Sequence, residues 1–183
     1  IKHALLQRDV AHLTFPDEIQ PLPVGDKPKA GRPDQRITSQ KIAPPQEAFE
    51  QALEMIQYAK RPLIITGHGA RFHMEAITEL AEQLNAGILT TFKGKGQIAD
   101  THPLAGGVLG RSGTPIASWL MNEADLLLVF GASFSNHTGI SPKVPTIQVD
   151  FDPLALAKFH AVDCQLWGEI SVTCTMLQEQ LDL

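Results

Sequence analysis

The chain has 183 residues, enough for one domain of ~100–200 residues plus a short extension. Its composition, 43% hydrophobic and 19% charged, is that of an ordinary globular chain with apolar material for one core. A net charge of −5, from 20 acids against 15 bases, argues against a nucleic-acid partner, because phosphate binding needs a basic surface.

Lys27, Lys29 and Arg32 are the nearest thing to a basic cluster, and they read as a solvated linker. Cys164 and Cys174 lie ten apart with no CxxC, which fits buried free thiols, a reducing compartment and a cytoplasmic location. No apolar run approaches the ~18 residues of a membrane span. There is no signal-peptide pattern, and the chain opens on Ile1 in what reads as mid-helix, which suggests a piece of a longer polypeptide.

In chain order, Ala4-Leu5-Leu6 reads as a helix end, and Val10 to Phe15 as a short strand closed by Pro16-Asp17. Residues 1–20 therefore read as the end of a neighbouring domain. Residues 21–45, with Pro21, Pro23, Pro28, Pro33, Pro44 and Pro45, read as an extended linker. The main domain is expected over 46–183. Helical spacing of Ala48, Phe49, Ala52, Leu53 and Ile56 predicts a helix over 46–60. Leu63 to Thr66 is apolar on both faces, as a central parallel strand requires. A helix follows over Met74–Asn85, ended by Gly87, and then a strand at Ile88–Phe92.

Lys93 to Gly113 is glycine-rich without a regular pattern. Pro115–Glu123 is a predicted helix, with Thr114 as N-cap and Pro115 in its first position. Leu126–Phe130 and Thr146–Asp150 are strands. Leu154–Phe159 reads as a short helix, Cys164–Trp167 as a last strand and Ile170–Leu181 as a final helix. Alternation of strands and helices implies an α/β, three-layer α/β/α fold with a Rossmann-like parallel sheet. In such sheets ligands sit beyond the carboxyl ends of the strands.

Candidate binding residues are therefore sought at those ends. Gly67-His68-Gly69 is an incomplete dinucleotide fingerprint, since Phe72 stands where a third glycine belongs; it reads as a phosphate contact or as a tight turn. Lys93-Gly94-Lys95-Gly96 offers cations and open backbone, as a phosphate cradle or a surface turn. Gly106 to Thr114, with Gly110 and Arg111 just before a helix N-terminus, is the best anion candidate; its other reading is a crossover packed on the sheet. Gly131 and Ser133 follow the most apolar strand. Asp150 ends a strand where a carboxylate can take ribose hydroxyls, while Asp152 reads as a turn residue. His68, His73, His102 and His137 have no metal spacing and read as surface polar groups. No nucleophile–base pair emerges, so no catalytic or metal-ligating residue is assigned.

Three segments together resemble the central domain of thiamine-diphosphate enzymes of the acetolactate synthase and pyruvate oxidase type: Arg61 to Ala70; Thr90 to Gly110; and Ala124 to Phe134 with Ile147 to Pro153. Residues 10–20 resemble the end of that family's pyrimidine-binding domain. The resemblance implies six parallel strands, and a parent enzyme acting on a 2-oxo acid as decarboxylase, carboligase or oxidase. It implies thiamine diphosphate and Mg²⁺ held by the N- and C-terminal domains outside residues 1–183, in a homodimer or homotetramer. It also implies FAD or ADP for the central cleft. The arginine-bearing segment of flavin-binding members is here Gly131-Ala132-Ser133-Phe134-Ser135-Asn136-His137, without either arginine, which implies weak flavin binding. Gly168-Glu169 resembles an adenine-contacting Gly-Asp. The alternative is a free-standing NAD-, FAD- or ADP-binding module of similar fold.

Overall fold

The structure is a computed structural model and describes residues 1–25, 31–32 and 36–181. It divides into two compact units, Ile1–Gln40 and Lys41–Leu183. In the first, α1 (Lys2–Gln7) ends on Arg8 in a left-handed conformation. The strand expected at Val10–Phe15 does not form. Its apolar side chains are exposed (Val10 83%, Phe15 65%), and a strand without a ladder partner has no place for its backbone polar groups except water. Lys27 and Lys29 lie outside the described residues.

The second unit holds α2 (Gln46–Tyr58), β1 (Pro62–Thr66), α3 (Met74–Leu84), β2 (Gly87–Thr90), β3 (Ala105–Val108), α4 (Pro115–Glu123), β4 (Leu126–Phe130), β5 (Thr146–Asp150), β6 (Cys164–Trp167) and α5 (Ile170–Gln180). All six strands are parallel, in the order β3-β2-β1-β4-β5-β6. This is the doubly wound, Rossmann-like three-layer arrangement. The chain moves outward from β1 on one side and from β4 on the other, so the switch point lies between the carboxyl ends of β1 and β4. The first pairs Leu63 with Leu127 and Thr66 with Phe130.

The pleat sorts the apolar side chains. Ile64, Ile88, Leu128, Phe130, Ile147 and Leu166 face α2, α3 and α5. Leu63, Ile65, Leu89, Leu127 and Val129 face α4 and the irregular chain after β4. Both faces of β4 are thus buried, which is why its sequence shows no alternation. Cys164 and Cys174 are buried free thiols; burial, then the Asp163 charge, pushes the Cys164 thiol up to about 11.

Three local expectations are corrected. Residues 92–94 form a 3₁₀ turn, and Ala105–Val108, expected to be irregular, is the edge strand β3. Leu154–Phe159 is a series of turns rather than a helix. The Asp152 carboxylate accepts from the Leu154 N–H, the Gln148 amide accepts from the Ala157 N–H, and Ala157 is left-handed at φ 51°. Side chains have taken the bonds a helix would use. Helix α3 is closed by Asn85 at φ 49°, with its N–H on the carbonyls of Ala81 and Glu82; Gly87 already belongs to β2.

At the amino edge of the sheet, the Asp125 carboxylate accepts from the N–H groups of Lys60 and Arg61, at 2.9 Å each, tying the end of α2 to the start of β4. Burial pushes its carboxyl up, but these backbone bonds outweigh it and hold it below the ordinary value. A depressed folded-state value means the contribution is present above the unfolded pKa, about 3.9, and is lost as pH falls through the folded one. Asp125→Ala is expected to cost about 1 kcal/mol at neutral pH and nothing at the acid end. Urea unfolding across that pH range checks it; a pH-independent loss would rule the carboxylate out.

Candidate functional site

Most of the candidate residues lie beyond a strand's carboxyl end or, for Asp150, at it, whereas Gly106, Gly107 and Val108 lie within β3 and His102 precedes it. Gly67, His68 and Gly69 follow β1; Lys93 and Gly94 follow β2; Gly110 and Arg111 follow β3; Gly131 and Ser133 follow β4; Asp150 ends β5; Glu169 follows β6. The fold therefore gathers them along one edge, though not into one site.

A cleft of about 520 Å³ opens there, lined by His68, Thr91, Phe92, Lys93, Gly131, Ser133, Ser135, His137 and Thr138. Four of the expected residues line it: His68, Lys93, Gly131 and Ser133. Gly110 and Arg111 border it. A Cβ on Gly110 would sit 2.6 Å from the Phe92 ring, and the Arg111 N–H donates to the His137 carbonyl at 3.2 Å. Among these lining residues there is a lysine, two histidines and four hydroxyls, and no carboxylate. Such a lining suits an anion whose oxygens accept from several donors.

The glycines act differently from a phosphate-binding turn. The Gly67 N–H donates to the Phe130 carbonyl and the Gly69 N–H to the Gly131 carbonyl, both at 2.9 Å. A Cβ on Gly67 would overlap the Gly131 oxygen and the Ala132 backbone, and one on Gly131 would lie 2.6 Å from the Ala70 nitrogen. These glycines let the β1 and β4 loops lock together across the switch point, and their donors are already used. Gly94 packs in the same way against the Thr66 carbonyl, and its N–H goes to Thr91.

Thr114 occupies the N-cap position of α4, but its hydroxyl turns back to Val108, bonding both its N–H and its carbonyl. Asp150 is not among the lining residues. Burial first, then the neighbouring Asp152 charge, pushes its carboxyl up against a bond from the Asp152 N–H. Glu169 caps α5 by accepting from the Val172 N–H at 2.7 Å and pairs with His73 Nδ1 at 2.8 Å. His73 thus holds a structural pair rather than a free surface position. Thr91, Phe92, Ser135, His137 and Thr138 were not singled out as binding residues. The density of hydroxyls over residues 133–138 was the sequence signal for Ser135 and Thr138. Among the described residues no group of three His, Cys, Asp or Glu side chains could hold a metal ion.

Comparison with known proteins decides what this arrangement belongs to. The family described as "Thiamine pyrophosphate enzyme, central domain" matches residues 49–177. The chain belongs to this family. Among its relatives, a "Probable acetolactate synthase large subunit" of Methanococcus aeolicus is 32% identical over 98% of this chain and 30% of its own length. A "3D-(3,5/4)-trihydroxycyclohexane-1,2-dione hydrolase" of Clostridium perfringens is 36% identical over 75% of this chain and 22% of its own. The "Acetolactate synthase isozyme 2 large subunit" of Escherichia coli is 31% identical over 75% and 26%. The chain thus spans under a third of the length of these relatives. The match favours a thiamine pyrophosphate enzyme central domain over a free-standing nucleotide module.

Proposed function

We propose that residues 1–183 come from a longer, cytoplasmic thiamine-diphosphate enzyme that decarboxylates, ligates or oxidises a 2-oxo acid as a homodimer or homotetramer. In this reading residues 1–20 end a pyrimidine-binding domain, 21–45 are a linker, and 46–183 are the central domain. Thiamine diphosphate and Mg²⁺ sit in the neighbouring domains. Membership of the central-domain family carries the proposal. The relatives' greater length supports it, as does the fact that no described helix is long and apolar enough to cross a membrane.

The central domain's own part is to hold the adenine nucleotide of ADP or FAD. Lys93, His68, Ser133 and Ser135 would meet phosphate oxygens, and Asp150, at the end of β5, a ribose hydroxyl. The used N–H groups of Gly67 and Gly69 leave the phosphates to side chains, which supports modest affinity. Calorimetry of the chain with ADP, FAD and CoA tests this. Lys93→Ala is expected to weaken ADP binding roughly three- to tenfold, less at high salt, because its ammonium is exposed. An unchanged affinity would remove Lys93 from the site, and sub-micromolar FAD affinity would overturn the weak-flavin reading. Pyruvate turnover by residues 1–183 with added thiamine diphosphate would overturn the placement of the catalytic parts elsewhere.

A further inference from the structure

Gln97 is not among the residues that line the cleft, yet its side chain joins two of the loops that form it. It lies in the turns after β2, and its Nε2 donates to the Gly67 carbonyl at 3.0 Å. Its own N–H donates to the Gly94 carbonyl at 3.1 Å. The Gly94 N–H donates to Thr91, and the Thr91 N–H to Thr66. A Cβ on Gly94 would meet the Thr66 carbonyl oxygen at 2.8 Å and the Gly67 carbonyl carbon at 3.6 Å, so this turn lies against the end of β1. Gly67 is thereby held from both sides, its N–H by Phe130 of β4 and its carbonyl by Gln97. His68, next to Gly67, and Lys93, next to Gly94, both line the cleft. The other side-chain tie in this turn, Lys95 to Asp100, is exposed and open to screening, which leaves Gln97 as its buried one.

The Gln97 Oε1 is buried, and no group among the described residues donates to it. A buried amide oxygen without a donor costs at least as much stability as one hydrogen bond adds. The amide cannot turn over, because its oxygen would then face the Gly67 oxygen. For the fold alone, an apolar side chain of similar length would serve as well, since the Gly67 carbonyl also accepts from the Ala70 N–H at 3.1 Å. A polar group kept where it adds nothing to stability is the kind of local exception found at working positions. We infer that Gln97 is a positioning residue of the cleft. It fixes the spacing of His68 and Lys93, and with it the affinity for the diphosphate of an adenine nucleotide, without stabilising the fold. The ligand in this inference rests on the nucleotide reading proposed above. Gln83 offers a contrast: its Nε2 donates to the carbonyls of Gln178 and Leu181, tying the carboxyl ends of α3 and α5 together.

The test compares Gln97→Met with Gln83→Met in the 183-residue chain, by thermal unfolding, amide hydrogen exchange and calorimetry with ADP. Gln97→Met is expected to leave Tm within about 2 °C of the unsubstituted chain. It should quicken exchange at Ala70 and Gly94 roughly tenfold beyond any change at a core amide such as Leu128, and weaken ADP binding about three- to tenfold. Gln83→Met is expected to lower Tm and to alter neither the exchange at Ala70 and Gly94 nor the affinity. Gln97→Glu gives a second signature. A carboxylate there cannot donate to Gly67, whereas its protonated form can. The protection lost at Ala70, corrected for intrinsic exchange, should therefore return as pH falls and the introduced carboxyl takes up its proton. A pH-independent loss overturns the inference. So does unchanged exchange in Gln97→Met, or unchanged affinity in a chain that binds ADP. A lower Tm with exchange raised evenly throughout also overturns it, because Gln97 would then be a structural tie. If the unsubstituted chain binds no ADP, the nucleotide reading fails by itself, and the positioning role is still decided by exchange at Ala70 and Gly94.

Discussion

Replacing Gly67 by alanine is expected to lower the stability of the central domain by about 4 kcal/mol or more, a shift of roughly 10–15 °C in Tm. The added methyl meets backbone, not a side chain that could turn away. It would overlap the Gly131 carbonyl oxygen and the Ala132 Cα and Cβ. Relief requires the β1 and β4 loops to separate, which strains the bonds from Gly67 N–H to Phe130 and from Gly69 N–H to Gly131. Gly131 cannot yield easily, because it is left-handed at φ 54° and a Cβ there would lie 2.6–2.7 Å from backbone atoms of Ala70 and Gly69. Gly139→Ala is the control. Gly139 has φ 67° with nothing within 4 Å of an added Cβ, so only left-handed strain of about 1 kcal/mol is incurred. Thermal unfolding of the two variants side by side checks the argument. Equal small losses would show that the switch-point loops reshape freely and that the glycines are not there for close packing.

This contrast bears on what could be read from the sequence. Glycines at three strand ends placed the candidates along the carboxyl edge of the sheet, since that follows from the α/β alternation alone. They could not reveal whether each glycine admits a ligand or a neighbouring loop. Both uses need an absent Cβ, and only the coordinates show the Gly67 and Gly69 donors already spent. The cleft's hydroxyl side had the opposite difficulty. Ser133, Ser135 and Thr138 look like any polar loop until the chain folds back to face Lys93.

The strands divide on the same principle. Leu63–Thr66 and Leu126–Phe130 are legible because burial on both faces writes itself as an unbroken apolar run. Ala105–Val108 is not, because two of its four residues are glycines. Gly106 is there to let β3 approach: a Cβ would lie 2.5 Å from Leu89 Cδ2 and 2.8 Å from Leu120 Cδ1. Its strand character comes from pairing with β2, not from its own side chains. Val10–Phe15 shows the converse, a strand-like pattern that no strand among the described residues completes. Pattern reading follows burial, and it fails where pairing alone decides.

The second large effect is expected at Phe130. Its ring is fully buried among Ile64, Leu128, Ile77 and the other residues beneath α2, α3 and α5, at the end of the strand whose two faces are both covered. Phe130→Ala should cost about 3–5 kcal/mol, from lost apolar burial plus the cavity left behind. Phe130→Leu, which fills most of that volume, should cost about 1–2 kcal/mol. Urea titration should show a lower midpoint at unchanged slope for both. The position also carries a local effect that a mid-strand core residue lacks. The Phe130 carbonyl accepts the Gly67 N–H, and its Cα partner across the ladder is Thr66. A cavity here loosens the join on which the cleft is built. Amide exchange at Gly67 and Gly69 should therefore quicken in Phe130→Ala, beyond what the global loss of stability accounts for. Leu128→Ala, buried in the same cluster two residues earlier, should lower stability without that selective change. If the two variants raise exchange at Gly67 and Gly69 equally, the end of β4 has no special hold on the cleft, and the switch point is rigid for reasons other than this packing.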